Sequence, residues 1–144
     1  MTSVIVGAAR TPIGKLGGSL LPLRAVELGG LAIAAAVERS GVDQSMIDEV
    51  IMGHVLQAGE GQITARQAAV RAGVPMTVPA VTLNKVCLSG MAAIGWADRS
   101  IRLGESTFVV AGGMESMSNA PYVSRDHRWG ARIGDSDLID VLQH

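Results

Sequence analysis

Four short apolar runs, bounded by glycine, proline or charge and spaced by helix-compatible stretches, limit what this chain can become. They occupy residues 4–9, 50–53, 80–83 and 107–111. Near-continuous apolar runs of this length are the pattern of strands buried on both faces. Residues 23–39, 64–72 and 91–103 read as the intervening helices, followed by Gly41, Gly73 and Gly104 at helix-ending positions. The order is β-α-β-α-β-α-β. Right-handed crossovers then lay helices over both faces of a mostly parallel sheet, so the fold class is α/β.

Details sharpen that frame. Arg10-Thr11-Pro12 ends the first run, since proline cannot extend a ladder inside a sheet. Residues 14–22 hold Gly14, Gly17, Gly18 and Pro22 and read as loop. In the first helix Val26, Leu28, Leu31, Ile33 and Val37 point nearly all round the axis, which predicts a buried helix. Gly29 and Gly30 should each cost it about 1 kcal/mol relative to alanine, so a neighbouring element is expected to approach closely there. Asp98 and Arg102 are spaced as an i,i+4 ion pair. After Gly113 no period survives; residues 114–144 read as an irregular excursion, locally basic over 125–132.

The single cysteine, Cys87, lies in Asn84-Lys85-Val86-Cys87-Leu88-Ser89-Gly90, between the third run and the third helix. A strand-to-helix turn of this kind sits at the carboxyl edge of a parallel sheet, where α/β folds place ligands. Unpaired N–H groups and the dipole at a helix start favour negative charge, hence the thiolate, and Lys85 adds to that field. By position alone, a lone cysteine is more often a small buried apolar residue. Both readings stay open at this level.

Other constellations weigh less. Ser89 is no hydrolase-type nucleophile, because the glycines that such an elbow needs two residues to either side are missing around it and around Cys87. Gly59-Glu60-Gly61-Gln62 lacks the third glycine of a dinucleotide loop and reads as a supporting turn. His54, His127 and His144 show no metal spacing, so no metal site is expected; His54 reads as structural. Glu115 reads as a buried network carboxylate with no sign of an acid or base role.

Composition excludes whole classes of function. At 144 residues and 48% apolar content the chain can bury a core of its own as one domain. Charged residues make up 17%, below the usual quarter, as if another subunit or further chain covers part of the surface. A net charge of −1 and four aromatic residues (two Trp, one Tyr, one Phe) argue against nucleic-acid partners. No apolar run approaches the ~18 residues that span a bilayer, and the amino terminus lacks a leader pattern. A cytoplasmic location is the expectation.

Several blocks together resemble the thiolases, the biosynthetic acetyl-CoA acetyltransferase type in particular. They are residues 9–14 (Ala-Arg-Thr-Pro-Ile-Gly), 51–62, 65–69, the Cys87 segment and 110–118 (Val-Ala-Gly-Gly-Met-Glu-Ser-Met-Ser), in family order and spacing. The resemblance implies that Cys87 is the acyl-thioester nucleophile. It implies acetyl-CoA and acetoacetyl-CoA as substrates, no metal or redox cofactor beyond coenzyme A thioesters, and assembly as a homodimer or homotetramer. It divides the chain into an amino-terminal α/β domain, 1–113, one strand short of its sheet, and the start of a loop domain involved in tetramers, 114–144. The family's catalytic histidine, second cysteine and asparagine lie in Gly-His-Pro, Cys-x-Gly and Asn-Glu-Ala-Phe blocks that these residues do not contain. The expectation is therefore the front portion of a thiolase, inactive by itself. Two rivals stand beside it: a degradative 3-ketoacyl-CoA thiolase, which shares the Cys87 block, and a non-catalytic, dimerising module with the same amino-terminal fold.

Overall fold

The structure, a computed structural model, describes residues 2–143; His144 lies outside them. Helix α1 runs Ala25–Ser40, strand β1 Glu49–Gly53, helix α2 Thr64–Arg71, strand β2 Ala80–Leu83, helix α3 Ser89–Leu103 and strand β3 Val109–Gly113. The three strands form a parallel sheet in the order β2-β1-β3, with Ile51 opposite Val81 on one side and Ala111 on the other. That is the expected α/β class. Short turns follow, with a two-residue antiparallel pair, β4 Tyr122–Val123 and β5 Ile139–Asp140, inside the irregular tail.

The alternation of β1 decides what lies on each face. Val50 and Met52 join Val26, Ile33, Ala65, Ala68 and Ala69 in the core under α1 and α2. Ile51 points the other way, onto Ala93 and Ala97 of α3. All three β1 residues are at most 2% exposed, and each fully buried aliphatic side chain contributes about 1.5–3 kcal/mol. Helices thus cover both faces, as right-handed crossovers require.

Helix ends obey local chemistry. The Arg24 N–H donates to Glu27 Oε2 at 2.8 Å, half of a capping box at the start of α1. Gly41 (φ 69°) and Gly104 (φ 76°) close α1 and α3 in the left-handed region. The predicted close approach at Gly29 and Gly30 is real: a Cβ on Gly29 would meet Met114 Sδ at 2.5 Å, and one on Gly30 would meet Arg71 Cβ at 2.8 Å. Arg102 Nε reaches Asp98 Oδ1 at 3.0 Å, as its spacing predicted.

Two expectations fail. The run 4–9 is not a strand. Val4, Ile5 and Val6 are 74%, 80% and 54% exposed, and no described strand pairs with them. An apolar run becomes a strand only where a neighbour completes its ladder. Instead the segment is held from both helix layers: Ser3 Oγ donates to Asp98 Oδ1 on α3, and Arg39 Nη1 of α1 donates to the Ala8 carbonyl at 2.8 Å. The other miss is α1, which is not buried all round. Leu31 is 58% exposed while Val26, Ile33 and Val37 are buried, because α2 packs on the glycine side and leaves the Leu31 side bare.

Candidate active site

Three loops leave the carboxyl edge of the sheet side by side: 54–63 after β1, 84–88 after β2 and 114–121 after β3. Backbone bonds lock their roots together. The His54 N–H donates to the Leu83 carbonyl at 3.0 Å, and the Met114 N–H to the Gly53 carbonyl at 3.0 Å. The start of α3 sits directly on these roots. A Cβ on Gly53 would lie 2.5 Å from the Ser89 carbonyl carbon and 2.6 Å from the Gly90 nitrogen, and one on Gly113 would lie 3.1 Å from Gly90 Cα. Gly53 leaves no room for a side chain and Gly113 very little, which lets the helix amino terminus come so close.

Cys87 is exposed on the turn that this contact supports, two residues before α3 begins. The turn is held from three sides. Asn84 Oδ1 accepts the Val86 N–H at 2.9 Å, while Asn84 Nδ2 donates to the Val55 carbonyl at 3.3 Å. Ser89 Oγ accepts the Lys85 N–H at 2.7 Å and donates to the Val86 carbonyl at 2.5 Å. Val86, between them, has φ 52°. A β-branched residue in the left-handed region is strained by roughly 1–3 kcal/mol, and such strain persists only where neighbours over-determine the backbone. Lys85 is exposed beside it.

Beneath the turn lies a buried polar chain. His54, 1% exposed, has Nδ1 2.9 Å from Thr64 Oγ1, which lies 3.3 Å from Thr82 Oγ1. Thr82 Oγ1 accepts the Ala65 N–H at 2.8 Å, tying the start of α2 to β2. His54 Nε2 lies 3.2 Å from Glu115 Oε1. The Glu115 carboxylate also accepts the N–H groups of Val55 (3.0 Å) and Leu56 (3.3 Å). Burial pushes its protonation upward, but the bonds from His54, Val55 and Leu56 outweigh this and hold it below the ordinary glutamate value.

His54, read as structural, is buried here, and Glu115 is a network carboxylate as expected but only part-buried, its side chain 30% exposed. Their pairing carries no local signal, and neither does the bridge Asn84 makes from the cysteine turn to the β1 loop. Gly59 (φ 76°) and Gly61 (φ 83°) form a turn, anchored by Gln67 Nε2 on the Glu60 carbonyl at 2.7 Å. His127 is far along the exposed tail, near Ser124. Among the described residues no three His, Cys, Asp or Glu side chains gather as a metal site would require, and no helix is long and apolar enough to cross a membrane.

Comparison with known proteins gives a consistent picture. The family profile described as "Thiolase, N-terminal domain" matches residues 3–144. An acetyl-CoA acetyltransferase of Cupriavidus necator is 54% identical over 139 residues, covering 96% of this chain and 35% of that protein. A probable acetyl-CoA acetyltransferase of Mycobacterium tuberculosis is 55% identical over 143 residues, covering 99% of this chain and 36% of the relative. The crystal structure of the Bacillus anthracis acetyl-CoA acetyltransferase superimposes with a TM-score of 0.91 at 45% identity, over 96% of this chain and 35% of that one. A thiolase from Ascaris suum, solved in complex with coenzyme A, gives 0.90 at 42% identity, over 97% and 36%. The chain thus spans about a third of the length of these relatives.

Proposed function

Because this chain belongs to the thiolase family, we propose that it carries the nucleophile of an acetyl-CoA C-acetyltransferase, and that the nucleophile is Cys87. The observation that bears most weight is the exposure of the one cysteine on a strained, over-determined turn at the carboxyl edge of the sheet. The names of its relatives supply the substrate class.

In this reading the Cys87 thiolate attacks the carbonyl carbon of acetyl-CoA. A new sulfur–carbon bond forms, the bond to the coenzyme A sulfur breaks, and coenzyme A leaves with a proton. N–H groups at the start of α3 help carry the negative charge on the tetrahedral oxygen. A second acetyl-CoA then gives up an α-proton, its carbon attacks the acetyl-enzyme, and acetoacetyl-CoA departs as Cys87 regains its thiolate. The reverse direction is thiolytic cleavage. Acyl transfer of this kind asks for no metal or redox cofactor, coenzyme A entering with the substrates.

The proton-handling groups of the cycle lie outside residues 1–144, so these residues alone are expected to be inactive. We assign 1–113 to an amino-terminal domain one strand short, its unpaired run 4–9 awaiting that strand, and 114–144 to the start of a loop domain that brings copies together as a homo-oligomer. The cytoplasm is the proposed setting. The test is Cys87→Ala in the complete protein. Formation of acetoacetyl-CoA should fall by at least about 10⁴-fold, the scale on which removal of a covalent nucleophile acts. Wild-type turnover would refute the assignment, and a chain-length series would separate this activity from a degradative thiolase.

A further inference from the structure

We propose that Ser89 is a positioning residue for Cys87, its hydroxyl holding Val86 in the left-handed conformation that sets where the thiol sits. The inference rests on the reading of Cys87 as the acyl acceptor. Val86 alone disfavours that conformation, since its branched Cβ crowds the backbone at φ 52°. Something must impose it. The two atoms gripped by Ser89 Oγ, the Lys85 nitrogen at 2.7 Å and the Val86 carbonyl oxygen at 2.5 Å, bracket the Lys85–Val86 pair. One hydroxyl therefore closes a ring around the strained residue. Its single proton is committed to the Val86 carbonyl, which leaves it neither nucleophile nor acid.

Ser89 itself has little freedom. It is 4% exposed, begins α3, and lies where a Cβ on Gly53 would strike it at 2.7 Å. The clamp is thus fixed to the end of β1 as well as to the helix. Loss of the hydroxyl would leave the Lys85 N–H without its partner and Val86 held only by Asn84 Oδ1 and the Ser89 N–H, so its φ would loosen and Cys87 would shift relative to the helix start.

A double-mutant cycle in the complete protein tests this. Ser89→Ala, Val86→Gly and the double variant are each mixed with acetyl-CoA, quenched, and read by mass for the rate of Cys87 acetylation, with KM measured alongside. Ser89→Ala should slow acetylation by about tenfold, equivalent to about 1.4 kcal/mol, with KM for acetyl-CoA within about twofold of wild type. Glycine takes positive φ without cost, so Val86→Gly/Ser89→Ala should recover most of the lost rate. Wild-type acetylation in Ser89→Ala, or a double variant no faster than Ser89→Ala, would overturn the proposal. If Ser89→Ala does not fold, the double variant is expected to fold and acetylate; its failure to do so would also overturn it. Cys87→Ala reports separately on the nucleophile itself: activity there would sink the parent reading, whatever Ser89 does.

Discussion

Gly53 marks the point where strand, helix and cysteine turn meet. A methyl group there would sit 2.5–2.7 Å from Ser89 and Gly90 backbone and side-chain atoms, and the contacted atoms are mostly main chain, so they cannot swing aside. Gly53→Ala should cost about 1–3 kcal/mol, the range for overpacking a tight site. It should also push the start of α3 outward and lower the rate of Cys87 acylation. Urea unfolding and single-turnover kinetics check the two effects. At this scale the sequence was partly legible. Cys87 stood out as the only thiol, placed between an apolar run and a helix. Ser89, the first residue of α3, was weighed only as a nucleophile; its grip on Lys85 and Val86 was not legible, because a serine near a helix start is common and nothing local shows that Val86 is strained. His54 and Glu115 are remote in the chain and could meet only once β1 and β3 paired.

Elements were more legible than contacts. Helices α1, α2 and α3 and strands β1, β2 and β3 fall within two residues of the boundaries that periodicity and glycine punctuation imply. The exception, residues 4–9, has the composition of a strand without the partner that would make it one, and composition reports no partner. How the elements are joined at their ends is testable through Glu115, which fastens the loop after β3 to the loop after β1. Its folded carboxyl is held below the ordinary value of 4.5. The stabilisation is therefore complete above that value and is lost as pH falls from it through the depressed folded value. Glu115→Gln should destabilise the wild-type fold near neutral pH, and the gap between the two proteins should close in acid. Denaturant titrations across that range measure it; a constant gap would remove the carboxylate charge from the account.

Across the whole molecule, apolar side chains stay open on several faces. Met91 and Leu103 on α3 are 71% and 73% exposed, alongside Val4 and Ile5 in the unpaired run. Lean charge raised the expectation of covered surface, and the chain spans about a third of each relative's length. What such faces pack against was beyond the reach of pattern, since an apolar residue looks the same beside its own chain or beside a second copy. The Cys87 turn and the loops beside it lie within residues 53–119, so the role proposed for that thiol can be put to one direct trial. The complete protein is mixed briefly with acetyl-CoA, quenched in acid and digested, and the peptide containing Cys87 is weighed. One acetyl group should appear on that sulfur and be removed again when coenzyme A is added before the quench. An active protein whose Cys87 peptide never carries acetyl would contradict that role.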